Sequence, residues 1–213
     1  PQKRKVRKKD SEYLPQRRKG AKVLRKKLFS ELSVFALREK YPRPRRIKMK
    51  PEKAQLVIEG LKNAGVDFAA GVPDAQFIEV YKLLAEDRDI HYVGAANEAE
   101  ATGIGFGAWF GGKKPALILA TSGLLVATYH LARINLLHEV PVLVVIPYRG
   151  DIGDPRWLGL YKKTTEPGLN AMDIPYRIVS RPEDIVRTIK DCNESARAWL
   201  KPVAVLLNEE ALW

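Results

Sequence analysis

The sequence predicts an α/β fold: an open parallel six-stranded sheet with helices on both faces, preceded by a basic N-terminal arm with one short helix. Three observations predict it. From Glu52 onward, apolar runs of strand length alternate with segments of helical periodicity, at the spacing of parallel α/β proteins. The runs Ala116-Leu117-Ile118-Leu119-Ala120 and Val142-Leu143-Val144-Val145-Ile146 carry no polar alternation, which is what strands covered on both faces require. Charge divides sharply near residue 50. Residues 1–50 hold 20 Lys and Arg against 4 Asp and Glu, whereas the remainder holds 17 against 21, so the formal +12 of the chain belongs to the arm.

Within the arm, Leu28, Phe29, Leu32, Phe35 and Ala36 recur at helical spacing, enough for about three turns that lay an apolar stripe on another surface. The flanking basic runs are expected to be solvated, with a partner subunit or a neighbouring copy holding the arm. In the rest of the chain the strands read Asp67–Ala70, Ile90–Ala95, Ala116–Ala120, Val142–Pro147, Tyr176–Val179 and Val203–Asn208. The helices read Glu52–Ala64, Ala75–Ala85, Ala99–Gly111, Leu124–Leu137 and Glu183–Leu200. This gives two regions, the arm at 1–50 and a single α/β domain at 51–213.

Several function classes are set aside by the same reading. A globular nucleic-acid binder carries its basic surface on the folded unit, and here that unit is net acidic, so a nucleic-acid partner is not expected. Lys113 and Lys114 interrupt the longest apolar stretch, so no membrane span is expected, and the lack of an apolar signal core points to a cytoplasmic protein. Residues preceding Pro1 remain open. His91, His130, His138 and the single Cys192 show no metal-ligand spacing, and Cys192 sits in an amphipathic helix with no base to activate it. Gly103, Gly105 and Gly107 alternate inside a helix rather than in a turn after a first strand, so they do not make a phosphate loop. They suit close packing against another helix or a cofactor-bearing partner. Thr121-Ser122-Gly123 lacks the Gly-x-Ser-x-Gly frame of a serine nucleophile, and Ser122 reads as a polar contact near a helix start.

Parallel sheets bind ligands beyond the C-terminal ends of their strands. Four such ends carry chemistry here: Gly71-Val72-Pro73-Asp74, Asn97-Glu98, Thr121-Ser122-Gly123, and Tyr148-Arg149-Gly150 with Asp151 and Asp154 behind. Glu98 is the acid/base candidate. It stands at a strand-to-helix junction among Val93, Ala95, Ala96, Ile104 and Phe106, where poor solvation would raise a carboxyl pKa toward the range useful for proton transfer. A charge that merely suits a helix N-terminus is the alternative. Arg149 is a candidate contact for a substrate anion, or a partner for Asp151 or Asp154.

The order of motifs along residues 51–213 resembles the pyrimidine-binding (PYR) domain of thiamine-diphosphate enzymes, and more narrowly the sulfopyruvate and phosphonopyruvate decarboxylase group. Besides the strand ends, Asn97-Glu98-Ala99-Glu100-Ala101, Gly111-Gly112-Lys113-Lys114-Pro115-Ala116 and Thr121-Ser122-Gly123-Leu124 carry the resemblance. It implies that Glu98 hydrogen-bonds N1′ of the cofactor's aminopyrimidine and exchanges a proton with it. It also implies that Pro73, Asp74, Asn97, Thr121, Ser122 and Gly123 line the cofactor or substrate side. The Gly-Asp-Gly…Asn motif that holds diphosphate through Mg²⁺ in such enzymes is absent. The implied enzyme is therefore a two-subunit 2-oxo acid decarboxylase, with a β subunit carrying diphosphate and Mg²⁺ in an α2β2 heterotetramer and the arm packed on that partner; no metal is held by this chain. Two departures, Leu125-Val126 after the Ser-Gly pair and Gly153-Asp154-Pro155-Arg156-Trp157 where the family has Asp-Glu-Pro-Gln-His, leave open a bulkier or less charged substrate, carboligation or carbon–carbon lyase chemistry. A scaffold binding RNA or an acidic protein through the arm is the competing class.

Overall fold

The computed structural model describes residues 49–151 and 154–213; the helix expected in the arm lies outside them. The sheet is six-stranded and wholly parallel, in the order β2-β1-β3-β4-β6-β5, with β1 Phe68–Gly71, β2 His91–Gly94, β3 Pro115–Ile118, β4 Val142–Pro147, β5 Tyr176–Val179 and β6 Pro202–Leu207. The two unalternated runs behave as expected: every residue of β3 and of β4 is buried. β3 stops at Ile118, although the Leu119 N–H still donates to the Val145 carbonyl at 3.1 Å.

Two apolar layers flank the sheet. On one side α1 (Pro51–Asn63), α2 (Ile78–Glu86) and α6 (Ile185–Trp199) bury Val57, Leu61, Val80, Leu84, Ile185 and Ile189 against Ala69, Leu143, Val145 and Val205. On the other, α3 (Glu98–Phe110) and α4 (Gly123–His130) bury Ala101, Leu124 and Ala127 against Ala70, Leu117, Val144 and Leu206, and Leu169 of α5 (Gly159–Ala171) joins them. Alternate residues of each central strand thus serve opposite layers. A short α7 (Glu209–Leu212) closes the described chain, with Asn208 capping it by accepting from the Ala211 N–H at 3.2 Å.

The structure corrects the sequence reading in three places. α2 starts at Ile78 rather than Ala75, because the Asp74 carboxylate accepts the Gln76 N–H at 2.7 Å and folds that segment into a turn. The helix expected over 124–137 is α-helical only to His130 and continues as a π-helical segment, Leu131–Leu136. Nothing in the sequence reading assigns a helix to residues 159–171, yet α5 forms there after a 3₁₀ turn at Arg156–Leu158. Gly159, Gly168 and the internal Pro167 disguise it, and burial of Thr165 and Leu169, the latter in the apolar layer it shares with α4, overrides those weak propensities.

Candidate functional site

The chain runs from β1 outward to β2 and then returns past β1 to β3, so the C-terminal ends of β1 and β3 flank a reversal of strand order. Ligands of open parallel sheets bind at such reversals. The backbones approach closely here. A Cβ on Gly71, the last residue of β1, would overlap the Ile118 carbonyl of β3. Two tyrosines seal the strand ends from beneath: the Tyr81 hydroxyl of α2 donates to that same Ile118 carbonyl at 2.9 Å, and the Tyr92 hydroxyl of β2 donates to Gly71 at 3.4 Å. Burial pushes the Tyr81 phenol well above its ordinary value, and the charges of Asp74 and Glu98 add to that push. Both carboxylates therefore lie in the electrostatic reach of one buried ring.

The run Asn97-Glu98-Ala99-Glu100 divides its work. Asn97 is the N-cap of α3, its side-chain oxygen accepting the Glu100 N–H at 2.9 Å. The Glu100 carboxylate reaches back to accept the Ala96 N–H at 2.6 Å. Two polar side chains of the run are thereby used to start the helix. Glu98 is not. Its backbone carbonyl accepts the Thr102 hydroxyl at 2.8 Å, but its carboxylate has no hydrogen-bond partner among the described residues. It is half-buried rather than dry.

What Glu98 touches is the start of α4. A Cβ built on Gly123 would collide with Cγ, Cδ and Oε1 of Glu98, so the carboxylate lies against bare backbone at a position only glycine can fill without a shift. Gly123 is buried, and its N–H donates to Ala120 at 2.9 Å. The expected residues Glu98 and Gly123, 25 positions apart in sequence, are thus brought into direct contact.

The remaining expected residues are distributed unevenly around this contact. Ser122 is exposed and makes no side-chain capping bond, although it precedes α4. Thr121 is buried; its hydroxyl donates to the Pro147 carbonyl and ties the end of β3 to the end of β4. Pro73 is exposed and Asp74 half-buried in the turn after β1. Arg149 differs from the expectation of a free anion contact. Its guanidinium is ion-paired with Asp154, with the two side chains 11% and 3% exposed, and stacks over the Trp213 ring at 4.9 Å. The second Asp154 oxygen accepts the Gly150 N–H at 2.5 Å. Arg149 therefore braces the loop after β4 and brings no unpaired charge to the rim.

Sequence reasoning named the residues of the Glu98–Gly123 contact but missed the two tyrosines and the pair formed by the buried Tyr148 and the half-buried Glu166. The Tyr148 hydroxyl donates to Glu166, which also accepts from Tyr176 at 3.3 Å, linking α5 to β4 and β5. No sequence signal marks that pair, because its acid lies in a helix the sequence disguises.

The helices that carry Glu98 and Gly123 leave an apolar face uncovered. On α3 only Ala101, Thr102 and Gly105 are buried; Gly105 sits where a Cβ would lie 2.9 Å from Leu117, whereas at Gly103 and Gly107 a Cβ would meet nothing within 4 Å. Phe110 is 64% exposed. On α4, Leu125, Val126 and Tyr129 stand at helical spacing below Ser122 and are exposed too. Two clefts of the described residues lie elsewhere, one beneath β3 and β4 and one along β5 and α6, and Glu98 lines neither. No group of three or more His, Cys, Asp or Glu side chains fit to hold a metal gathers among the described residues. No helix among them is long and apolar enough to cross a membrane.

Comparisons with known proteins converge on one family. Residues 52–147 match the family described as thiamine pyrophosphate enzyme, N-terminal TPP binding domain. Sulfopyruvate decarboxylase subunit alpha of Methanococcus maripaludis is 30% identical over 156 residues, covering 73% of this chain and 93% of that protein. The protein of the same name from Methanothermobacter thermautotrophicus is 29% identical over 161 residues, 75% of this chain and 98% of that one. Phosphonopyruvate decarboxylase of Streptomyces hygroscopicus is 32% identical over 100 residues, of which this chain spans only 24% of the relative's length. Among solved structures, 2-oxoglutarate:ferredoxin oxidoreductase from Magnetococcus marinus superposes with a TM-score of 0.63 at 22% identity, over 76% of this chain and 29% of that one. At that identity the likeness concerns the fold.

Proposed function

Because this chain belongs to the sulfopyruvate decarboxylase α-subunit family of thiamine pyrophosphate enzymes, we propose that it is the cofactor-activating subunit of a two-subunit, thiamine-diphosphate-dependent 2-oxo acid decarboxylase, a carboxy-lyase. The observation that carries the assignment of residues is the Glu98 carboxylate, lying against glycine backbone with its oxygens unclaimed among the described residues while its neighbours Asn97 and Glu100 are consumed in capping.

These residues fit an aminopyrimidine. A carboxyl can donate a proton to a ring nitrogen or accept one from it, and the bare backbone of Gly123 leaves the space that the Glu98 carboxyl itself occupies, which any Cβ there would fill. Thiamine diphosphate, when bound, supplies the electron sink for the pair released as carbon dioxide departs. Glu98 holds and moves the proton at N1′. Asn97 and Glu100 fix the first turn of α3, so that the carboxyl presents one geometry. Thr121 holds the turn before Gly123 in place, Ser122 offers a hydroxyl at the rim, and Pro73 with Asp74 shapes the opposing loop after β1.

The relatives are named α subunits, and a partner subunit accompanies such a chain. The β subunit supplies the diphosphate and Mg²⁺ half in an α2β2 assembly. The uncovered face of α3 and α4 is the surface it covers: desolvating Glu98 requires a neighbour there, and the exposed Phe110, Leu125 and Tyr129 supply the apolar area for one.

Glu98→Gln is the test. With the partner present, turnover should fall by about 10² to 10⁴-fold, the range for loss of general acid–base catalysis, while sedimentation shows the assembly intact. Undiminished turnover in an intact assembly would remove Glu98 from the chemistry.

A further inference from the structure

At the end of the sheet opposite Glu98, the loop that leads into β3 carries Gly111-Gly112-Lys113-Lys114-Pro115, a motif the proposed reaction does not use. It forms one wall of a cleft of about 270 Å³. Trp109 near the end of α3, Pro141 before β4, and Asn193 and Arg197 on α6 complete the lining. The cleft therefore straddles the lower edge of the sheet, between helices of its two opposite layers.

Charge sets this cleft apart. Its charged lining residues are Lys113, Lys114 and Arg197, all exposed, and among the described residues none of the three forms a salt bridge. No carboxylate lines it. Asp67 accepts the Lys114 backbone N–H at 2.7 Å and lies outside the lining, and Glu194 on the neighbouring turn of α6 is taken by Lys190 at 3.8 Å. The cleft along β5 and α6 differs, since two of its three arginines are paired within the lining itself, Arg181 with Asp184 at 2.7 Å and Arg187 with Asp191 at 3.4 Å, and among the described residues Arg177 alone is left over. That lining mixes both signs of charge, whereas the lining below β3 carries one sign only.

The walls of the uncompensated cleft are also fixed. Gly112 takes φ +83° to turn the chain out of α3, a conformation that suits glycine. Pro115 and Pro141 offer no N–H that a bound group would have to satisfy. The Asn193 side chain is buried and anchored by donating to the Ala64 carbonyl at 2.9 Å. Trp109 provides a flat apolar wall, held edge-on to Phe110 at a centroid distance of 5.1 Å. Three cations lining one partly aromatic concavity with no carboxylate among its walls concentrate anions locally, and the volume admits a metabolite rather than a polymer.

We propose that this cleft is a binding site for a small polyanion, a phosphorylated or polycarboxylate metabolite, held by Lys113, Lys114 and Arg197 against Trp109. The site lies at the other end of the strands from Glu98, so its ligand is not the substrate whose proton traffic Glu98 serves.

The test is a titration of the ¹⁵N-labelled full chain with inorganic pyrophosphate and, separately, citrate, at about 0.15 M salt so that diffuse attraction is screened beyond roughly 8 Å. The expected result is a saturable shift of the Trp109 indole N–H and the Gly112 amide with at least one probe. Saturation by pyrophosphate alone assigns the ligand to phosphates, and saturation by citrate alone assigns it to carboxylates. The double variant Lys114→Gln/Arg197→Gln should weaken binding by about tenfold or more, whereas Arg17→Gln/Arg18→Gln, which removes the same charge from the basic arm, should leave it unchanged. Shifts that never saturate, or that the arm variant abolishes and the cleft variant spares, would overturn the proposal. Neither readout depends on turnover, so the result stands apart from the fate of Glu98→Gln.

Discussion

α3 and α6 are helices of 13 and 15 residues that pack on opposite faces of the same sheet, and they are finished to different degrees. α6 is complete within this chain. Its inner stripe, Ile185, Ile189, Cys192, Asn193 and Ala196, is buried, and its outer face carries the i,i+4 pairs Arg187–Asp191 and Lys190–Glu194. α3 buries only Ala101, Thr102 and Gly105 and then presents Gly103, Gly107 and Phe110 outward, with no charged residue after Glu100. A helix that is apolar all round needs cover on every side. The contrast teaches that α6 is finished by the packing of this chain, whereas α3, which carries the candidate catalytic acid at its start, leaves its outer apolar face without cover from the described residues.

Substitutions on the two helices should therefore separate stability from assembly. The largest effect on the isolated chain is expected from Ile189→Ala. Ile189 fills the space over Gly60 of α1, where even a Cβ would come within 3.0 Å of it, and its loss should cost about 2–5 kcal/mol. Denaturant unfolding measures this, and a change below the lower bound would mean that α6 is not the finished element described. Next is Gly123→Ala, whose methyl would overlap the Glu98 carboxylate. Displacing that group by even an ångström should lower kcat by about 10²-fold, while circular dichroism reports an unchanged fold. Retained kcat would show that the contact between the two residues does not position the acid.

Smaller effects should follow on the exposed face. Leu125→Asp or Phe110→Ala should leave the chain's own unfolding within about 0.5 kcal/mol but weaken its association with the partner subunit by about 1–2 kcal/mol, as read by a dissociation constant. Stability lost without any change in association would reverse the comparison. The mildest expectation concerns pH. Burial pushes the Cys192 thiol up to about 11, with the Asp191 charge adding and Arg177 opposing. Because the folded value lies above the unfolded value of roughly 8.5, this contribution to stability is fully present below that pH and is lost as pH rises toward 11. Alkylation of Cys192 at pH 8 should be far slower in the folded chain than in denaturant.

Much of the fold was legible because its signals are local. The unalternated runs that became β3 and β4 and the amphipathic stripe of α6 each encode their outcome within a few positions, whereas Asn97, expected on the cofactor side, turned out with Glu100 to cap α3. α5 was not legible, since Gly159, Pro167 and Gly168 speak against a helix and only tertiary burial of Thr165 and Leu169 supports it. In the candidate site, Glu98 and Gly123 could each be singled out from strand-end chemistry. Tyr81 and Tyr92 could not, because their hydroxyls act on carbonyls 37 and 21 residues away. The pairing of Arg149 with Asp154 was one of two readings the sequence allowed, and its burial beneath Trp213 was not foreseeable from spacing.

By itself, then, the sequence determined the alternation of strands and helices, the acid at position 98 and the concentration of positive charge in the arm, since hydrophobic periodicity and residue chemistry act over one or two turns. Tertiary structure alone decided that Glu98 would rest on Gly123, that Arg149 would be neutralised and that Lys113, Lys114 and Arg197 would line one cleft beneath β3 with no carboxylate in its lining. Those outcomes depend on which distant segments the sheet order brings together, and a strand's neighbours are set by the packing of the whole sheet rather than by anything written beside it in the chain.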